Sequence, residues 1–183
     1  PLLALALAAI APLASADDCA HSEQRNLAPD LTGVERVVFD VGAQDLDLAG
    51  ISDGAPSLQA RACASDPSYL PQLRFSQRRE GTTLVVEISR EGYSSGVFFK
   101  PTYAYLDVQA RLPAGLAYEV RVGSGDARVS RVASLESRVG SGDLEVSAIA
   151  GRFSGRVGSG DIEARDVGEL RIDSIGSGDV EVH

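Results

Sequence analysis

The sequence predicts an all-β chain, a single-stranded β-solenoid with about 17–18 residues per rung and a strand-rich N-terminal cap. Three observations predict it. From Val34 onward apolar and polar residues alternate in short runs broken by turn signals, which is the periodicity of strands. The pentapeptide VGSGD at Val122–Asp126 returns at Val139–Asp143 and Val157–Asp161, with IGSGD at Ile175–Asp179. No amphipathic stretch at 3.6-residue spacing is long enough to make a helix.

In chain order, residues 1–16 (PLLALALAAIAPLASA) form an apolar run ending in Ala14-Ser15-Ala16. This reads as the end of a secretory signal peptide whose start is missing, cut before Asp17. It is shorter than the roughly 20 residues that span a bilayer, so no stable membrane span is expected. Residues 17–33 form an N-terminal segment carrying Cys19, and the chain's other cysteine is Cys63. In the oxidising compartment that export implies, the two are expected to pair, closing a long loop worth about 3–4 kcal/mol. Residues 34–183 make the solenoid domain, with a strand-rich head over 34–105 and a repeat ladder over 106–183. Turns are expected at Gly42–Gln44, at Glu80-Gly81 and at Pro113–Gly115, between runs such as VVFDV and LDLAGI. The stretch Asp66–Gln72, with Pro67 and Pro71, leaves space for one short helical turn at most.

Repetition organises the rest. The GSGD glycines begin at Gly123, Gly140, Gly158 and Gly176, in steps of 17, 18 and 18 residues, and apolar residues follow each corner at alternate positions (Ala127/Val129, Leu144/Val146, Ile162/Ala164, Val180/Val182). Such a unit has too few inward residues to stand alone and must stack on its neighbours, about 4.8 Å apart. Stacking demands glycine at Gly123, Gly125, Gly140, Gly142, Gly158, Gly160, Gly176 and Gly178, either for positive φ or because a Cβ would strike the next corner. Ser and Asp are the residues that hydrogen-bond exposed backbone N–H groups in such turns. The chain stops a few residues after its last corner without a polar capping rung, which reads as truncation of the ladder.

The VGSGDLEV-type repeat, the RLPAG segment before it and a strand-rich head behind an export signal resemble the bacterial "putative adhesin" domain family. The resemblance covers roughly Val34 to His183. It implies a β-solenoid exported to the periplasm, cell surface or extracellular space, with a structural or adhesive role and an envelope or extracellular glycan or protein as partner.

The residues themselves point to a binding or structural module and not to an enzyme. A net charge of −9 disfavours nucleic acid and anionic membrane. The only histidines are His21 and His183, so the ladder has no material for a His-based triad, and GSGD lacks the lysine and helix of a phosphate loop. A carbohydrate-active β-helix enzyme is the alternative. A second alternative is a calcium-stabilised repeat, with Asp126, Asp143, Asp161 and Asp179 stacked in a column; no other metal site and no cofactor are expected. Against calcium, each rung carries one Asp-bearing turn where the known nonapeptide roll has two. Column repulsion calls for neutralisation, for which Arg121, Arg138 and Arg156 before the corners and Glu145, Glu163 and Glu181 after them could pair across the corner. The segment that departs from the repeat holds Tyr93, Phe98, Phe99, Lys100 (the sole lysine) and Tyr103, and is the candidate binding loop.

Overall fold

The structure is a computed structural model that describes residues 19–92 and 102–183. Thirteen strands follow one another: β1 (His21–Leu27), β2 (Arg36–Val41), β3 (Asp45–Ile51), β4 (Ser57–Ala64), β5 (Leu73–Glu80), β6 (Thr83–Arg90), β7 (Ala104–Pro113), β8 (Ala117–Val122), β9 (Ala127–Ser130), β10 (Ser134–Val139), β11 (Leu144–Val157), β12 (Ile162–Ile175) and β13 (Val180–Val182). A short 3-10 helix, Pro67–Gln72, precedes β5; Asp66 caps it by accepting from the Ser68 N–H. The expected turns fall between β2 and β3, β5 and β6, and β7 and β8. At the β5–β6 hairpin Gly81 takes φ 62°, a left-handed turn conformation that favours glycine.

Alternation sets which way each side chain points. On β7, Ala104, Leu106, Val108, Ala110 and Leu112 are buried, while Tyr105, Asp107, Gln109 and Arg111 face out. The inward residues of all the long strands merge into one core, with Phe39, Phe153, Leu48, Leu58, Ile88 and Leu106 fully enclosed.

The expected single-stranded solenoid is not the architecture. All thirteen strands belong to one sheet, and eleven of them lie on a single path, β1-β4-β7-β3-β9-β11-β10-β8-β2-β6-β5, with β12 and β13 branching from β11. That path curls until its ends nearly meet, giving a barrel-like shape. The guanidinium of Arg25 on β1 donates to the carbonyls of Leu70 in the 3-10 helix and Leu73 at the start of β5. Gln77 and Arg79 of β5 donate in turn to the carbonyls of Ala28 (2.8 Å) and Thr32 (2.6 Å), just beyond β1.

Two features break the solenoid rule that successive turns stack in chain order. The β2–β3 layer pairs with β6 and β7 on one side and with β8 and β9 on the other, so it sits between two layers that follow each other in sequence. Antiparallel β4, β1 and β5 then flank β7 and β6 and wrap the sheet toward closure. The repeat did predict local pairing: β8, β10 and the second half of β11 run parallel in register, as do β9, the first half of β11, β12 and β13. It carries no information about the antiparallel strands that lie outside it.

Cys19 and Cys63 form a disulfide with 5.7 Å between their Cα atoms, tying the chain ahead of β1 to β4. No helix among the described residues is long and apolar enough to cross a membrane.

Candidate functional site

The recurring pentapeptide forms one corner column. None of its eight glycines lies at left-handed φ. They are glycine because of what stands beneath them. A Cβ on Gly142 would lie 1.7 Å from the Gly125 carbonyl oxygen, and one on Gly160 would lie 1.8 Å from that of Gly142. The first glycine of each corner is nearly as constrained, at 2.4 Å for Gly140 over Gly123. With the corners this close, the Ser141 N–H donates to the Gly123 carbonyl at 2.8 Å, and Ser159 and Ser177 repeat the bond one rung on.

The aspartates extend the same ladder by side chain. The Asp143 N–H donates to Asp126 Oδ1 at 3.0 Å, Asp161 N–H to Asp143 Oδ1 at 3.0 Å, and Asp179 N–H to Asp161 Oδ1 at 2.8 Å. Each carboxylate therefore stands in for a backbone carbonyl at a place where the turn has moved the main-chain acceptor away.

The column also has a fifth member that lacks the GSGD letters. The Asp126 N–H donates to Asp45 Oδ1 at 3.0 Å, and Val41-Gly42-Ala43-Gln44-Asp45 stacks directly beneath Val122–Asp126. Its glycine signature is half erased because Gln44 occupies the second glycine position. A side chain fits there because it packs inward against β7. Gln44 is 4% exposed, and its Oε1 accepts from the Leu106 N–H. The surviving signal was the spacing: Val, Gly and Asp of Val41–Asp45 recur at the same offsets in Val122–Asp126.

Beside the column runs a groove of about 730 Å³, lined by Asp45, Asp107, Asp126, Asp143, Asp161 and Asp179, by Asp47, Glu145, Glu163 and Glu181 one pleat further on, and by Gln109 and Arg128. A second hollow of about 580 Å³ continues it across β7, β4 and β1, lined by Gln24, Gln59, Arg61, Asp107 and Gln109. Arginines neutralise part of this face. Arg128 bonds Glu145 at 2.7 Å, Arg111 bonds Asp47 at 3.2 Å, and Arg61 bonds Asp107 at 2.8 Å. Arg165 bridges two rungs, reaching Glu145 at 3.2 Å and Glu163 more closely still. The hydrogen bond from Arg128, with the charges of Arg128 and Arg165, holds the Glu145 carboxyl below its ordinary range.

The other arginine column behaves differently from expectation. Arg121, Arg138 and Arg156 do stack in register, but they find acids on their own side of the corner. Arg121 and Arg138 converge on Glu119, at 2.8 and 3.1 Å, and Arg156 bonds Asp173 at 3.1 Å. Glu119 is only 4% exposed. Burial pushes its pKa up, but the Arg121 hydrogen bond and the charges of Arg121, Arg138 and Arg36 outweigh that and hold it below the ordinary value.

Of the candidate binding loop, Tyr93, Phe98, Phe99 and Lys100 lie outside the described residues. Tyr103 is described and sits beside the disulfide-tied segment: its hydroxyl accepts from the Ala20 N–H at 3.0 Å, its N–H donates to Ser65 Oγ at 3.1 Å, and its ring centre is 6.0 Å from that of Tyr105. His21 is exposed on β1. At the far edge of the sheet, His183 joins Glu163 and Glu181, with potential ligand atoms of all three within 4.8 Å of one another.

No family model matches the chain, and no curated protein does. Solved structures do resemble it. A Clostridium sporogenes protein described as a "putative cell adhesion protein" superposes with a TM-score of 0.60 at 12% identity, covering 88% of this chain and 99% of that one. A Bacteroides fragilis "putative adhesin" (11% identity, TM-score 0.31, covering 90% and 98%) and a Parabacteroides distasonis "putative lipid binding protein" (15%, 0.33, covering 90% and 97%) superpose only loosely. The molecule thus has an all-β fold shared with the Clostridium structure.

Proposed function

We propose that this chain is an exported, non-enzymatic binding module of a bacterial envelope whose working surface is the polar groove. The observation that carries the reading is the groove's continuity: it crosses from β1 through β4, β7, β3, β9 and β11 to β13, presenting carboxylate, carboxamide and guanidinium groups at the strand spacing. A periodic row of donors and acceptors suits an extended polar polymer, and a surface or extracellular glycan fits it better than a compact small molecule. The Cys19–Cys63 disulfide fits an oxidising compartment, and the fold shared with a structure described as a cell adhesion protein agrees with an adhesive role.

The full chain would be screened on glycan and envelope-protein arrays, and the Gln59→Ala/Gln109→Ala double variant compared on whatever is retained. The expected result is retention of an extended glycan, weakened about five- to 150-fold by removing two carboxamides, each hydrogen bond being worth about 0.5–1.5 kcal/mol. Retention unaffected by the double variant would move binding off the groove. Release of reducing or unsaturated sugars from a polysaccharide would replace the module with an enzyme.

A further inference from the structure

We infer that Glu163, Glu181 and His183 form a site for a divalent transition-metal ion, with zinc as its probe. Parallel register places Glu145 beside Glu163 and Glu163 beside Glu181, so a cation between each neighbouring pair of carboxylates relieves their repulsion. For the first pair the chain supplies one: Arg165, two residues beyond Glu163, lays one nitrogen on each carboxylate. For the second pair the residue two beyond Glu181 is His183, which takes the place of Arg165 in the next strand.

The substitution changes the chemistry of the position. A guanidinium carries a permanent charge and only donates, whereas a neutral imidazole offers a lone pair. Here Nε2 faces both carboxylates without bonding either, 3.6 Å from Glu163 Oε1 and 3.8 Å from Glu181 Oε2. Those separations exceed a hydrogen bond and lie near the distance of about 3.3 Å between ligand atoms that each sit 2.0–2.1 Å from a tetrahedral zinc. One nitrogen and two carboxylates form a zinc-type donor set with positions left for water, and the nitrogen discriminates against calcium and magnesium, which prefer oxygen alone. All three side chains are open to solvent, so an ion has a path in. Arg165 keeps its bond to Glu145 through its other nitrogen when Glu163 turns to the metal. The Glu163–Glu181 pair is therefore completed from outside, by the charge that the Glu145–Glu163 pair carries in its own sequence.

Isothermal titration of the untagged chain with zinc chloride at neutral pH tests this. One zinc per chain is expected, with a rise in Tm that magnesium does not reproduce. His183→Arg, which restores the built-in cation, and Glu181→Gln should each weaken zinc binding about tenfold or more. His183→Arg should also keep the circular dichroism and zinc-free Tm of the parent, separating loss of ligand from loss of fold. His21→Ala should bind zinc normally. Zinc binding that survives His183→Arg, that follows His21 instead, or that is absent from the parent chain would overturn the site.

Discussion

Each rung of the ladder turns two corners, and only one of them enters the left-handed region. At the GSGD corner the φ angles are not left-handed, yet glycine recurs at two positions in every copy. At the other corner Arg131, Ala148 and Asp166 stand at equivalent positions with φ of 57°, 54° and 52°, yet none is glycine and no two are alike. Contact, more than dihedral preference, wrote the repeat. A left-handed L-residue costs about 1–2 kcal/mol and can be tolerated once per rung. A Cβ placed 1.7 Å from a carbonyl oxygen cannot be accommodated without moving the backbone of the neighbouring layer.

Adding a methyl group at the critical position of one corner, or removing one at the other, should shift stability in opposite directions. Gly142→Ala should lose about 3 kcal/mol or more, because its Cβ meets the main chain of Gly125 and not a flexible side chain. Urea unfolding would read this as a large fall in midpoint, and an unchanged midpoint would mean that the corners are not stacked this tightly. The next effect is smaller. Asp143→Ala removes the acceptor for the Asp161 N–H and should cost about 1 kcal/mol, whereas Asp143→Asn keeps an oxygen there and should be close to neutral by the same measurement.

At the second corner the sign should reverse. Ala148→Gly relieves the left-handed strain at an exposed residue, offset in part by the added flexibility of the unfolded chain. A net gain of about 0.5–1 kcal/mol is expected in denaturant midpoint. The smallest effect sharpens the role of the carboxylates. Millimolar calcium should leave Tm unchanged, since each Asp Oδ1 between Asp126 and Asp161 is already committed to the next rung's N–H. A rise of several degrees that disappears in Asp143→Asn would make the column a calcium ladder.

The same contrast explains what the sequence made legible. Strand alternation, the four GSGD corners and the pairing of Cys19 with Cys63 could be read because each rests on residues that have no substitute where they stand. The left-handed corner could not be read, because Arg, Ala and Asp pay a similar conformational cost and leave no common letter. The layer order was hidden for another reason. Nothing in VVFDVGAQDLDLAG says that it slots between two later layers, and its kinship with the ladder is masked where Gln44 replaces a glycine. Of the site, the Asp column was anticipated as a possible metal device. Its role as a run of side-chain acceptors was not, because that depends on where the turn leaves the backbone N–H groups.

The disulfide also decides how this molecule would carry a mechanical load. A pull on the chain ahead of Cys19 crosses the sulfur–sulfur bond to Cys63 and enters the sheet at the end of β4. The covalent path bypasses the segment between the two cysteines, so β1, β2 and β3 are not pulled end to end. The first element to resist is the seam between β4 and β7, closed from Ser57 to Ala64 by antiparallel pairing. Reduction would reroute the force through β1, an edge strand that could be peeled away one residue at a time, so a single covalent bond sets whether the fold yields by zipper or as a block.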